Sequence, residues 1–246
     1  LPSYYGLPAD QFLLLNDGQG NFSDATSTLA PQLEKLGMVT DALWFNFDGD
    51  SFPDILIVGD WMPITIFSNN GKTLTKVEHV NGLENTEGMW NRIKSSDLDG
   101  DGDLDFVLGN LGLNSKLKAS PDRPLMLKVN DFDQNGSVEP IFAFEKNGKQ
   151  YPLALRQDII KQMSSLKKKF LYYEDYANKS LDEIFDKRVL EQATNLKIQE
   201  LRTSVLINRG DGSFELKPLP DEAQFSPVYG LAIEDIDGNG VSDLVL

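Results

Sequence analysis

The sequence predicts a mostly β fold that is interrupted by an α-helical insertion, and three observations carry this prediction. Short β-prone runs separated by Gly-containing turns recur along most of the 246 residues. Four of these turns repeat one pattern of acidic residues. Between about residues 153 and 202 the β pattern gives way to apolar residues at helical spacing, so the two periodicities occupy separate stretches of the chain.

The most acidic of the four turns is DLDGDGDLD, from Asp97 to Asp105. Five aspartates in nine residues repel one another, and this repulsion costs stability unless a positive charge lies among them. A divalent cation with oxygen ligands meets that need, and Ca²⁺ accepts a flexible shell of about six to eight oxygens. The pattern recurs as NFDGDSFPD, DFDQNGSVE and DIDGNGVSD, which begin at Asn46, Asp131 and Asp235.

One spacing rule describes all four loops and predicts up to four bound Ca²⁺ ions. The first, third, fifth and ninth residues carry a side-chain oxygen, whereas the seventh has no common chemistry and would offer its backbone carbonyl. The predicted ligands are Asn46, Asp48, Asp50, Phe52 and Asp54; Asp97, Asp99, Asp101, Asp103 and Asp105; Asp131, Asp133, Asn135, Ser137 and Glu139; and Asp235, Asp237, Asn239, Val241 and Asp243. Their side chains supply nearly all of the excess acidity behind the formal net charge of −15.

The loops differ from EF-hands and from plain turns. An EF-hand needs a bidentate Glu at the twelfth position and a helix on each side. Here the flanks are β-prone, and the twelfth positions are Ile57, Leu108, Phe142 and Leu246. A single Asp-Gly pair would predict only a hairpin turn. Four loops with the same spacing favour metal loops that each join two strands.

A regular unit of strands surrounds the first two loops. Residues 12–27 predict a hairpin, and residues 38–80 predict four antiparallel strands, the size of one propeller blade. Residues 88–110 restart the unit with a strand, a loop and a strand. The loop at 131 then follows too soon for a standard blade. Either one blade is shortened or a second metal hairpin is grafted into it, and the strands between Leu111 and Pro152 stay unassigned.

Two helices are predicted in the insertion. Ser180 with Glu183 forms a capping box that opens the second helix. The first is predicted by an amphipathic stripe of Leu155, Ile159, Met163, Leu166, Phe170 and Tyr173.

The segments after the insertion return to the β pattern. SVLINRGDGSFELKPL predicts a hairpin like that at 12–27, and VYGLAIEDI with DLVL predicts a last strand, loop and strand. If the two ends of the chain meet, their strands complete one blade; if not, a longer chain supplies the partners. We therefore expect a single β-propeller region over residues 1–246, part of a longer propeller, with a helical insertion at about 153–202.

These loops, with their strands and Asn-Gly hairpins, resemble the FG-GAP/VCBS repeats of integrin-α-type β-propellers. GNLGLNSKLKASPDRP, YPLALRQDIIKQMSSLKKKFLYYEDYANKSLDEIF and AQFSPVYG resemble VCBS-repeat proteins of Bacteroidetes related to cartilage acidic protein and the ASPIC/UnbV group. The resemblance implies a secreted or surface-attached protein with a propeller of about seven blades. The sequence departs from the pattern in lacking a Gly-Ala-Pro signature and in carrying Glu139 where the repeats have aspartate.

Composition excludes several partners. The acidity argues against nucleic acid and against anionic membrane surfaces, and no apolar run reaches the ~18 residues of a membrane span. The absence of cysteine leaves the redox compartment undetermined.

Three further motifs are interpreted as structural. Arg209-Gly210-Asp211 is interpreted as a hairpin turn rather than an adhesion motif, and Lys167–Lys169 as the solvated face of a helix. Trp44, Trp61 and Trp90 are expected to pack between sheets rather than to stack on sugars.

The expected function is a calcium-binding extracellular or cell-surface module that binds a protein or a glycan, with structural calcium and no catalysis. The alternative is a polysaccharide lyase or glycoside hydrolase on the same scaffold, which needs converging carboxylates. Glu84, Glu87, Asp158 and Glu174 lie outside the loops, but no spacing links them. His79, the sole histidine, has no Ser or Cys constellation around it. A third possibility is a scaffold that docks a partner on its helical insertion.

Overall fold

The computed structural model describes residues 6–246, which form mainly short antiparallel strands. The strands are β1 Leu14–Asn16, β2 Phe22–Asp24, β3 Met38–Phe45, β4 Asp54–Met62, β5 Thr65–Asn69, β6 Leu74–Lys76, β7 Gly88–Met89, β8 Arg92–Ser96, β9 Asp105–Gly109, β10 Leu125–Asn130, β11 Glu139–Lys146, β12 Lys149–Pro152, β13 Thr194–Ile198, β14 Ser204–Asn208, β15 Phe214–Pro218, β16 Ala232–Glu234 and β17 Asp243–Val245. The helices are α1 Thr26–Leu29, α2 Arg156–Gln162, α3 Tyr173–Tyr176, α4 Leu181–Ile184 and α5 Lys187–Glu191, with 3-10 helices at Pro31–Leu33, Ser164–Lys167 and Asp221–Gln224.

The chain divides into two compact units. The main unit contains Pro8–Lys118 and Glu200–Leu246, and the inserted unit contains Ala119–Gln199 together with the described residues 6–7. Their sheets are antiparallel, and none of the sheets within residues 6–246 closes into a barrel or a propeller. The single propeller region expected from the sequence therefore stays a prediction. None of the helices in the described part of the chain has the length and apolar character needed to cross a bilayer.

The first large sheet of the main unit has the strand order expected of a blade. Its strands follow one another as β3-β4-β5-β6, which confirms the four strands predicted over residues 38–80. The short strand β7 adds to it by pairing with β4. Seven of the nine residues of β4 are buried, as expected for a central strand covered on both faces.

The second large sheet is assembled from both sides of the inserted unit. Its order is β15-β14-β9-β8, so the hairpin after the insertion completes the sheet that begins at Arg92. Phe106 in β9 lies opposite Leu206 in β14. Of the two alternatives for this region, a grafted hairpin is observed, because β10 and β11 flank the third loop inside the inserted unit; metal binding by that loop stays a prediction.

The core of the main unit is shared by these two sheets. It includes Phe45 and Leu56 from the first sheet with Phe106, Leu108 and Leu206 from the second. The Phe45 and Phe106 rings meet edge to face, with their centroids 5.1 Å apart. Close aromatic packing therefore joins the two sheets in one core.

The tryptophans and the terminal hairpins of the main unit follow the sequence only in part. Trp61 and Trp90 are buried as predicted, whereas Trp44 is 50% exposed. The hairpins predicted at 12–27 and at the C-terminal end are present as β1–β2 and β16–β17, each a separate two-stranded sheet. These two hairpins do not pair into one blade within the described residues.

In the inserted unit a sheet of order β12-β11-β10-β13 packs against short helices. The capping box at Ser180 is confirmed, since Glu183 accepts from both the amide and the hydroxyl of Ser180. The long helix predicted from Leu155 to Tyr173 is wrong: α2 ends at Gln162 and a 3-10 helix follows. The break falls at Met163, whose φ of −124° and ψ of 90° lie outside the helical range.

Part of the predicted apolar stripe is buried, whereas Leu155 and Tyr173 at its two ends are exposed. Ile159, Met163 and Phe170 contribute to one core with Leu181 and Ile184. Strand β13 falls inside the range predicted as helical, so helices end at Glu191 rather than near 202. The hydrophobic spacing therefore identified the middle of the buried face but not its two ends, and it overestimated helix continuity.

Candidate metal centres

Each of the four acidic loops joins two antiparallel strands in the same register. The residue before the loop pairs with the ninth loop residue in every case. The pairs are Phe45 with Asp54, Ser96 with Asp105, Asn130 with Glu139, and Glu234 with Asp243. The shared spacing in sequence is therefore a shared geometry in space.

The ninth residue of each loop closes the loop from the strand side. Its carboxylate accepts a hydrogen bond from the amide of the second loop residue. The donor–acceptor distances are 2.7 Å for Phe47 to Asp54, 2.9 Å for Leu98 to Asp105, 2.9 Å for Phe132 to Glu139, and 3.1 Å for Ile236 to Asp243. The replacement of aspartate by Glu139 keeps this bond.

The ninth residues of the first two loops also bind the neighbouring strand. Asp54 accepts from the amide of Asn69, and Asp105 accepts from the amide of Asn208, at 2.7 and 2.8 Å. Both carboxylates are fully buried. The ninth residue thus joins the loop to three strands of its sheet.

The side chain of the first loop residue accepts hydrogen bonds from backbone amides within the turn. Asp97 accepts from the amides of Gly100 and Gly102, and Asp131 accepts from those of Asn135 and Gly136. Gly102 has a φ of 96° and Gly136 a φ of 89°, values that favour glycine at the sixth position. Ser51 stands there in the first loop.

The fifth residue forms an Asx turn with the seventh in all four loops. The side-chain oxygen accepts from the backbone amide two residues on. The pairs are Asp50 with Phe52 at 2.6 Å, Asp101 with Asp103 at 2.9 Å, Asn135 with Ser137 at 2.8 Å, and Asn239 with Val241 at 2.7 Å. Ligation by the fifth side chains and by the seventh carbonyls stays a prediction.

The first, third and ninth positions come together in three of the loops. One carboxylate oxygen from each residue lies within 4.8 Å of the others in the groups Asp97, Asp99 and Asp105; Asp131, Asp133 and Glu139; and Asp235, Asp237 and Asp243. In the first loop Asn46 replaces one of these acids and donates through its amide to the Asp50 carbonyl. The three clusters offer only oxygen ligands, which are the ligands that hard divalent cations prefer.

The third loop provides a direct test of whether a cation fits. The Asp133 Oδ1 atom is buried and has no hydrogen-bond partner within residues 6–246. Its Oδ2 atom accepts from the Ser165 hydroxyl at 3.2 Å. A buried carboxylate oxygen without a partner is costly, and coordination to a cation removes that cost. The residues present therefore fit a bound metal ion.

The pKa values of the buried ninth residues also favour a bound cation. Burial raises the pKa of the Asp105 carboxyl above its ordinary value, and the nearby Asp99 and Asp101 carboxylates add to the rise. Burial likewise raises the pKa of Glu139, with a further contribution from Asp133. Backbone hydrogen bonds oppose these shifts but do not cancel them. A cation would reverse the direction by favouring the ionised carboxylates.

The exposed fourth loop behaves differently. Backbone hydrogen bonds, first of all that from Gly240, lower the pKa of the Asp235 carboxyl. Asp243 is only partly buried. In this loop the backbone amides around Asp235 therefore stabilise its ionised carboxylate, whereas burial dominates at Asp105 and Glu139.

Contacts from outside the loops were not foreseen from the sequence. The third-position carboxylates have partners far along the chain: Ser68 donates to Asp48, and Arg209 pairs with Asp99 across 3.9 Å. Arg209 also pairs with Glu215, and Asp211 accepts from Ser213. The Arg209-Gly210-Asp211 tripeptide thus lies in the turn between β14 and β15, as its interpretation as a hairpin predicted.

Comparison with known proteins supports the repeat type. A family model described as FG-GAP-like repeat matches residues 46–108, which include the first two loops and the strands between them. No curated protein matches the chain. The relation to the Bacteroidetes and ASPIC/UnbV group stays a prediction. An FG-GAP-like repeat therefore lies within this chain.

The raised pKa values predict how pH controls stabilisation by Ca²⁺. Ionisation of Asp105 and Glu139 costs stability in the cation-free protein, so that protein loses stability as pH rises through their raised pKa values. Bound Ca²⁺ requires the ionised forms. We expect the difference in Tm between Ca²⁺ buffer and buffer stripped of divalent ions to grow between about pH 4 and pH 7. A difference of equal size at both ends of this range would contradict the assignment.

Proposed function

We propose that this chain is a Ca²⁺-stabilised module of an extracellular or cell-surface β-propeller that binds a protein or glycan ligand and performs no chemistry. The repeated loop geometry carries the proposal. Four loops share one strand register and one hydrogen-bond pattern, and three gather their carboxylates within 4.8 Å. The FG-GAP-like repeat at residues 46–108 supports the same type of module.

Calcium is the metal that the ligands favour. The chain has no cysteine, and its only histidine lies outside the loops, so the soft and nitrogen ligands preferred by zinc and copper are missing there. Mg²⁺ demands a near-ideal octahedron and retains several waters. The flexible loops instead offer carboxylate, amide and backbone oxygens, which suit the larger and more variable shell of Ca²⁺.

A structural role for calcium follows from where the loops lie. Each loop connects two paired strands. The carboxylate of its ninth residue accepts a hydrogen bond from the backbone amide of its second residue. A cation among the carboxylates would offset their repulsion and hold the strand ends together. Affinities near 10⁻⁴–10⁻³ M, which are typical of extracellular modules, are sufficient for that purpose.

A groove in the inserted unit supports ligand binding. It has a cavity volume of about 290 Å³ and is lined mainly by apolar and aromatic side chains, including Phe144, Tyr151, Leu155 and Tyr173. The Phe144 and Tyr151 rings stack with centroids 5.8 Å apart, and the Arg156 guanidinium lies 5.6 Å from the centre of the Tyr173 ring. Concave apolar surfaces with a few fixed polar groups are typical of ligand sites.

The enzymatic alternative has one specific observation in its favour. His79, Glu84 and Glu87, which no sequence spacing connected, line one cavity of about 250 Å³ in the main unit. Glu84 also accepts from the amide of Gly82 at 2.8 Å. Asp158 and Glu174 belong to the inserted unit. Carboxylates around a cavity are necessary for glycoside hydrolysis but do not suffice for it.

Removal of calcium is expected to destabilise the protein. For a site with a Kd near ~10⁻⁴ M, about 2 mM Ca²⁺ contributes about 1.8 kcal/mol, or several degrees in Tm. Asp99→Asn should remove one bound ion in calorimetric titration and reduce the Ca²⁺-dependent rise in Tm. Asp10→Asn, at an exposed residue outside the loops, is the matched control. Equal melting curves with EDTA and with Ca²⁺ at neutral pH would contradict the proposal.

Screening against a panel of polysaccharides separates binding from catalysis. The proposal predicts no new reducing ends and no unsaturated uronates with the purified chain. Products that disappear in both Glu84→Gln and Glu87→Gln, but persist in Glu34→Gln at an exposed position, would instead establish the enzymatic alternative.

A further inference from the structure

The third loop differs from the first two in where its third-position carboxylate is held. In the first loop the partner of Asp48 is Ser68, which belongs to β5 of the same sheet. In the second loop the partner of Asp99 is Arg209, which directly follows β14 of the same sheet. In the third loop the partner of Asp133 is Ser165, in the 3-10 helix after α2. A helical segment here takes the place of a strand end.

Two further contacts join the third loop to the helices. Phe132, the second residue of the loop, is buried in the helical core, with its ring centroid 4.7 Å from that of Phe185. Asn130, directly before the loop, donates through its side-chain amide to the Val189 carbonyl at 2.8 Å. The helical segment is therefore contacted at three places, Ser165, Phe185 and Val189, by the third loop and the residue before it.

The helices of the inserted unit depend on such tertiary contacts. They contain between four and seven residues. Isolated helices shorter than about 12 residues are marginal in water, because nucleation fixes several residues for a single hydrogen bond. Their order must come from packing against the sheet and the loop. The third loop supplies part of this packing through Phe132, so a change in the order of the loop is transmitted to the helices.

The Asp133 carboxylate lies between the proposed cation site of the third loop and the helical segment. Its Oδ1 atom is buried without a hydrogen-bond partner in the described residues, while its Oδ2 atom accepts from Ser165. Residues that orient a metal ligand through its second atom affect affinity, although they do not touch the metal. Ser165 has this relation to the third loop.

We propose that cation binding at Asp131, Asp133 and Glu139 orders the helical segment 156–191, with Ser165 as the positioning residue that links the two. This inference rests on the metal-binding function proposed above. It makes the helical face, and the groove beside Arg156 and Tyr173, a surface that forms fully only when the third loop is loaded. The first and second loops have no equivalent control, since their third-position carboxylates are held within their own sheets.

Amide hydrogen exchange of the full chain, followed by mass spectrometry during a Ca²⁺ titration, tests the inference. Peptides from residues 131–139 and from 156–191 should gain protection with the same midpoint. Ser165→Ala should raise that midpoint about 10-fold. Ser164→Ala, at the adjacent residue of the same 3-10 helix, should leave it unchanged.

A pair of loop variants assigns the effect to one site. Asp133→Asn should abolish Ca²⁺-dependent protection of 156–191, whereas Asp99→Asn, at the same position of the second loop, should preserve it. Protection of 131–139 without a change in 156–191 would overturn the inference and leave the metal site intact. Protection at the other loops but not at 131–139 would also overturn it. If no loop responded to Ca²⁺, the proposed function itself would be wrong.

Discussion

Repulsion among carboxylates in four short loops is the constraint on which this structure depends. Strand pairing fixes the two ends of each loop, and the ninth residue closes it through the amide of the second. The first, third and ninth side chains are thereby directed toward a common point in three loops. Backbone amides satisfy some of the oxygens, but the buried Asp105 and Glu139 carboxyls keep raised pKa values. A bound cation is the simplest way to relieve this cost.

The insertion is tolerated because the chain leaves and re-enters the main unit at neighbouring points. Asn110 follows β9 and is fully buried. Its carbonyl accepts a hydrogen bond from the amide of Val228, and its backbone amide donates one to the Thr203 hydroxyl at 3.1 Å. The Asn110 side chain donates to the Glu200 carbonyl at 3.2 Å. Close exit and entry points allow a second unit to be inserted without distorting the host sheet. The inserted unit carries an acidic loop of the same strand register, which is contacted by helices rather than by a strand end.

Local patterns in the sequence predicted much of this arrangement. The loop positions, the strands around the first two loops and the capping box at Ser180 all follow from residues close together in the chain. The pairing of β9 with β14 did not, because the inserted unit separates them. The helix break at Met163 was missed because the apolar spacing continues through it. Ser68, Ser165 and Arg209 carry no signal in the sequence, since their roles depend only on tertiary proximity.

Diffraction from crystals grown with ample Ca²⁺, collected at a long wavelength to locate calcium by its anomalous signal, tests the central claim most directly. The account predicts a peak in each of the four loops, at about 2.3–2.6 Å from the oxygens of the first, third and ninth residues. In the third loop the Asp133 Oδ1 atom should be among those ligands. Four loops filled only by water would contradict the account.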